Sequence, residues 1–193
     1  MNINRIVDFK ILIVNTYFIE SEKIFDINNA QSTLKYNNEV ISVLNKHTTM
    51  FIGSGLPGSG KSVAAALGCN EEEILFCTSY NMLVDILMMD GKDAITNNRL
   101  LNLHVNDDTT GAQNKIHFDV RPYKRIVFDE VLLCDPDMLA RLYRFMLKFS
   151  DKQIIATGDI DQLDCIDFNF NDASDQSKYM KNVSNFCSQI ELY

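Results

Sequence analysis

The sequence predicts an α/β fold, a three-layer sandwich around a mainly parallel central sheet, and three observations carry that expectation. Short, continuous apolar runs recur at Met50-Phe51-Ile52, Ile74-Leu75-Phe76-Cys77, Arg125-Ile126-Val127-Phe128 and Gln153-Ile154-Ile155-Ala156-Thr157, the pattern of strands covered on both faces. Segments with helical spacing fall between them. A glycine-rich turn follows the first run and leads into a helix former, Val63-Ala64-Ala65-Ala66-Leu67. Buried strands joined through helices pair in parallel by right-handed crossovers, and a ligand then sits beyond their carboxyl ends.

The elements follow in order. Ile11-Leu12-Ile13-Val14 is apolar but short and flanked by Asp8, Lys10 and Glu20, without a small-residue cleavage site, so it reads as a buried strand and not as a signal or membrane span. From Asn28 to Leu44, residues Ala30, Leu34, Val40, Ile41 and Leu44 recur at helical spacing. Met82, Leu83, Ile86, Leu87 and Met88 are expected to form a helix face packed on the sheet. Asp135 as N-cap and Pro136 at the first helical position open another helix, with Met138, Leu139, Leu142, Phe145, Met146 and Phe149 along one stripe. Residues 167–178 read as a polar loop. The expected organisation is an N-terminal strand and helix over 1–45, leading into one lobe over 46–193.

Composition limits the function classes. A chain of 193 residues with 46% hydrophobic residues suits a single buried core. Its five cysteines lack C-x-x-C spacing, which argues against a zinc site or a disulfide framework and for a reducing, intracellular compartment. His47, His104 and His117 are scattered without metal-ligand spacing, and the aspartates around 164–175 lack calcium-loop spacing. The formal net charge of -8 weighs against tight nucleic-acid binding by these residues alone, because phosphate contacts call for a basic face.

Chemistry concentrates at three sites, each at the end of an apolar run. Gly55-Leu56-Pro57-Gly58-Ser59-Gly60-Lys61-Ser62 satisfies G-x-x-x-x-G-K-[ST], the Walker A pattern, in the strand–loop–helix context that supports it. Its glycines let successive N–H groups face phosphates; Lys61 can reach the β- and γ-phosphates, and the Ser62 hydroxyl can ligate magnesium. Gly55, Pro57, Gly58, Ser59, Gly60, Lys61 and Ser62 are therefore the candidate ATP contacts. Asp129, ending the run Ile126-Val127-Phe128, is the second candidate magnesium ligand, as in a Walker B element, and Glu130 can deprotonate an attacking water. In Thr157-Gly158-Asp159-Ile160-Asp161-Gln162-Leu163, Gln162 can bond the γ-phosphate or the water beside it. A bland reading exists for each site: a glycine turn, an acidic pair ending a strand in solvent, and an ordinary Gly-Asp turn.

Taken in order, GLPGSGKS, VFDE and TGDIDQL resemble motifs I, II and III of the first RecA-like lobe (1A) of superfamily 1 helicases. The wording GLPGSGKS is closest to viral members, which read G-x-P-G-S/C-G-K-S/T. Cys77-Thr78-Ser79-Tyr80-Asn81 resembles motif Ia, and Ala94-Ile95-Thr96 with Leu100-Leu101 resembles the A-x-T…L-L stretch beyond it. The resemblance implies that Thr78, Ser79 and Thr96 touch the backbone of single-stranded DNA or RNA; capping of helix starts would explain the same hydroxyls. Gln31 resembles the glutamine that reads adenine upstream of motif I.

A complete relative carries a second RecA-like lobe with an arginine finger, and the sequence shows none. Ile190-Glu191-Leu192-Tyr193 resembles the strand leading into the segment between lobes. The chain reads as one motor lobe, from a domain or a truncated gene product, monomeric, without membrane association, and in host cytoplasm if viral. Such a lobe would bind ATP and Mg2+ weakly and hydrolyse slowly, since an arginine finger contributes about 10³–10⁵ in rate. Two other readings remain at this level. A P-loop nucleoside or nucleotide kinase leaves Glu130 and 158–163 without roles, and a non-catalytic nucleotide-binding module has no use for Glu130.

Overall fold

The computed structural model describes residues 16–19, 30–53, 59–101, 118–134, 136–159 and 188–192. Seven strands form one sheet: β1 (Thr16–Ile19), β2 (Thr49–Gly53), β3 (Ile74–Thr78), β4 (Asp93–Thr96), β5 (Arg125–Phe128), β6 (Gln153–Gly158) and β7 (Ser188–Leu192). Their order is β1-β7-β2-β6-β5-β3-β4, and every pairing is parallel. The helices are α1 (Ala30–Leu44), α2 (Lys61–Ala66), α3 (Asn81–Met89), α4 (Asn97–Leu100) and α5 (Pro136–Lys148). The three-layer α/β sandwich expected from the sequence is the architecture that forms.

Period-two alternation explains why both faces are covered. Met50, Ile52, Ile74, Phe76, Val127 and Ile155 point to one face and pack with Val40, Leu44, Ala64 and Ala65 of α1 and α2. Phe51, Leu75, Cys77, Ile126, Phe128 and Ile154 point to the other and pack with Leu100, Met138, Leu139, Leu142 and Phe145 of α4 and α5. On that second face Phe145 meets Phe128 edge-on, with ring centroids 5.9 Å apart. β1 joins the same sheet, and Tyr36, Val40, Val43 and Leu44 of α1 pack in the same core as β2.

A charged residue far from the phosphate loop sits inside this framework. Arg125 opens β5, is buried, and stands in register beside Gln153 of β6. Its Nε donates to Gln153 Oε1 at 2.7 Å, and its Nη1 donates to the carbonyls of Ala65 and Leu67 at 2.9 and 2.6 Å. Gln153 Nε2 in turn donates to the carbonyls of Leu44 and His47 at 2.8 and 2.9 Å. The pair therefore satisfies orphan carbonyls at the carboxyl ends of α2 and α1, where a cation also suits the helix dipole. Burial lowers the Arg125 pKa, yet a guanidinium remains charged.

Two helix faces differ from the sequence reading. Among the described side chains of α1 the buried set is Tyr36, Val40, Val43 and Leu44, whereas Leu34 is 61% exposed. Spacing i, i+4, i+7, i+8 from Tyr36 selects that stripe, and Leu34 falls off it. In α3 no residue is buried, and Met82, Ile86, Met88 and Met89 are exposed, while Leu83, Val84 and Leu87 are half-buried. α3 covers the sheet edge at β3 and β4 with one face only, so four of its seven apolar residues point outward. The expected strand at Ile11–Val14, the Asp135 cap and the 167–178 loop lie outside the described residues.

Candidate nucleotide site

β2 runs through the middle of the sheet between β7 and β6, and α2 begins eight residues after it ends. Gly60 makes the entry to α2 at φ 81°, in the left-handed region that favours glycine. Ser59 and Lys61 on either side are buried. Gly55, Pro57 and Gly58 lie outside the described residues.

The second acidic element is built by the sheet ladder. The Asp129 N–H donates to the Cys77 carbonyl at 2.8 Å, which extends the β3–β5 pairing one residue past Phe128. Asp129 Oδ1 then accepts from the Ser62 hydroxyl at 3.1 Å and from the Thr157 hydroxyl. At Glu130 the chain turns to φ 52° and ψ 47°, the sole non-glycine residue with positive φ among the described residues. The Glu130 N–H donates to Thr157 Oγ1 at 3.3 Å. Backbone strain of this kind clusters at functional sites.

Electrostatics follow from packing. Burial pushes the Glu130 carboxyl above the usual range; the Lys61 ammonium opposes that shift, and Asp129 and Asp159 add to it. Glu130 Oε2 and Ser59 Oγ are buried without a hydrogen-bond partner. Buried polar atoms are normally satisfied, so these two on adjoining segments fit a polar ligand. Ser62 and Asp129 supply two hard oxygen donors, the chemistry magnesium prefers, with its remaining positions filled by water and phosphate. Among the described residues no group of three or more His, Cys, Asp or Glu could hold a metal ion.

The structure brings Ser59, Gly60, Lys61, Ser62, Asp129 and Glu130 together at the carboxyl ends of β2 and β5. Gln162 lies outside the described residues, and so does the side chain of Gln31, which falls on α1. Thr78 and Thr96 are partners in the β3–β4 register at the sheet edge. Thr96 caps α4, its hydroxyl accepting from the Arg99 N–H at 3.3 Å. Neither Thr78 nor Ser79 caps α3, whose N-cap is Tyr80. Thr78 is buried with an unpartnered hydroxyl, and Ser79 accepts from Asn97 Nδ2 at 3.2 Å.

The sequence reading gave no role to three residues, two of which lie in its third motif. Thr157 joins Asp129 to Glu130, Asp159 is buried beside Glu130, and Asn97 is fully buried between Ser79 and Cys134. The signal for Thr157 was available in the strand pairing: Phe128 stands opposite Ala156, so 157 must stand beside 129.

The fold is the RecA-like α/β fold of P-loop NTPases. Sequence comparison finds no matching family model and no matching curated protein. Among solved structures, the chain is similar to Pif1 helicase in a study of DNA unwinding at forked dsDNA, at 14% identity and TM-score 0.50, covering 76% of this chain and 37% of that one. Pif1 from Bacteroides sp in complex with ADP-AlF4 gives 14% identity, TM-score 0.50, and 76% and 35% coverage. A double mutant of Bacteroides Pif1 gives 16% identity, TM-score 0.50, and the same coverage. At these identities the likeness is one of fold. The chain spans about a third of the length of these structures.

Proposed function

We propose that this chain binds ATP with magnesium and hydrolyses it as the N-terminal motor lobe of a superfamily 1 helicase acting on DNA or RNA. The observation that carries the reading is the meeting of Ser62 with Asp129 at 3.1 Å, with Glu130 next along the chain and Lys61 buried beside it. Their arrangement is the one needed to hold a metal–triphosphate and to accept a proton from water. The ADP-AlF4 complex of Pif1 supports nucleotide as the ligand. Motif wording favours a viral source and cysteine usage an intracellular compartment; the lobe is proposed to be monomeric, with Gln162 sensing the γ-phosphate and Gln31 reading adenine.

In this mechanism Ser62 and Asp129 would hold the cation, which would supply positive charge to the phosphates. The Lys61 ammonium stabilises the charge developing on the β- and γ-phosphates. Glu130 receives the proton of the attacking water on its carboxylate, and the raised affinity of that carboxyl for protons suits it to the task. Ser79 and Thr96, both partly exposed, are proposed to meet the nucleic-acid backbone, Thr96 through surface left beside its capping role, whereas Thr78 is buried in β3 and does not reach it. Movement along a strand would need a second lobe that closes on this one.

The test is to incubate the chain with γ-labelled ATP, magnesium, single strands and a panel of nucleosides. Phosphate released to water, and stimulated by strands, is expected. Label transferred to a nucleoside would replace the motor reading with a kinase.

A further inference from the structure

We infer that Thr157 is a positioning residue for hydrolysis: its one hydroxyl fixes the Asp129 carboxylate and the backbone turn that aims Glu130. The inference rests on the proposed hydrolytic reading and adds to it a residue that the motif reading left without a role.

Position 157 lies in the middle of the sheet and is completely buried. A buried strand position of this kind is ordinarily filled by valine or isoleucine, because a hydroxyl there must find partners or be penalised. Thr157 finds two. Its O–H donates to Asp129 Oδ1, and its oxygen accepts from the Glu130 N–H at 3.3 Å. Register dictates the meeting, since Phe128 pairs with Ala156 and the next residue of each strand must adjoin.

Each bond has a separate consequence. Asp129 Oδ1 receives hydroxyls from Ser62 on one side and Thr157 on the other, so Thr157 holds the carboxylate in place from outside the phosphate loop. The Glu130 N–H, in a left-handed backbone, has Thr157 as its acceptor, so the hydroxyl secures the conformation from which the carboxyl is presented. Valine has the same shape and neither bond. Serine keeps both bonds and loses a methyl group.

Thr157→Val, Thr157→Ser and Thr157→Ala should be compared in full steady-state kinetics with ATP and magnesium as separate variables, alongside thermal melting. For Thr157→Val the expected result is a fall in kcat of about tenfold or more, a rise in the magnesium needed for half-saturation, and a KM for ATP within about threefold of the parent. Thr157→Ser should recover most of the parent kcat. If Thr157→Val does not fold, the contrast between an active Ser variant and an inactive Ala variant decides the same point. A Val variant with parental kcat and magnesium dependence, or Ser and Val variants impaired alike, would overturn the inference. A parent chain that releases no phosphate under any condition would instead overturn the hydrolytic reading itself.

Discussion

The hydroxyl of Ser62, at the start of α2, stands 3.1 Å from the carboxylate of Asp129, which lies 67 residues later at the end of β5. Parallel pairing through β6 is what closes that distance, because β2 and β5 each pair with it, β2 ending opposite Gly158 and β5 opposite Ala156. The contact defines where a divalent cation would be held. Asp129→Asn should therefore weaken binding of magnesium–nucleotide by about tenfold or more while changing metal-free nucleotide binding by less than about threefold. Titration of a fluorescent nucleotide with magnesium and with chelator measures both.

Arg125 should matter for stability out of proportion to its distance from the site. Replacement by methionine keeps the bulk but leaves the carbonyls of Ala65 and Leu67 and the Gln153 amide oxygen without their donor. Bonds to a charged group contribute about 1.5–3 kcal/mol each, so a loss of about 3 kcal/mol or more is expected in urea unfolding. Arg125→Lys should recover little of it, since an ammonium cannot reproduce the forked geometry.

Alkaline pH should destabilise the fold through two tyrosines. Burial pushes Tyr36 up to about 12, and burial together with the bond from Tyr123 Oη to Asp93 at 3.0 Å pushes Tyr123 up to about 12. Both are raised above the ordinary value near 10, so the native state holds these protons more tightly than the unfolded chain. Their contribution is intact below about pH 10 and is lost as pH rises toward 12, by up to about 1.4 kcal/mol per pH unit for each group. Unfolding free energies from pH 8 to 12 should show this slope, and Tyr36→Phe should reduce it. At neutral pH Tyr36→Phe should be neutral or stabilising, because the Tyr36 hydroxyl is buried without a partner.

Gly60 should resist substitution for a backbone reason alone. A Cβ added there meets nothing within 4 Å, but φ is +81°. Gly60→Ala should cost about 1–2 kcal/mol through that conformation, with further loss in nucleotide affinity.

Strands β2, β3, β5 and β6 were legible because burial on both faces leaves continuous apolar runs, and the site residues were legible because each follows one of them. What one strand does to its neighbour was harder to read. Thr157 acquires its role only from the β5–β6 register, and Arg125 looks like a strand's polar start until α2 delivers its carbonyls above it. Helix faces failed where the sheet runs out: α3 lies at the β4 edge, so apolar spacing could not tell Leu83 and Leu87, which pack inward, from Met82 and Ile86, which do not. β1 at Thr16–Ile19 and β7 at Ser188–Leu192 pair with each other from opposite ends of the chain, a contact no local pattern signals.

The most direct test of the central claim is nucleotide binding by the parent chain and by Lys61→Ala, measured by calorimetry with ATP in magnesium. Lys61 is buried at the head of α2, and its ammonium is the charge assigned to the phosphates. The parent is expected to bind, and the Ala variant to lose about tenfold or more in affinity with its melting temperature retained. Equal binding by the two would contradict the assignment of this loop to a triphosphate.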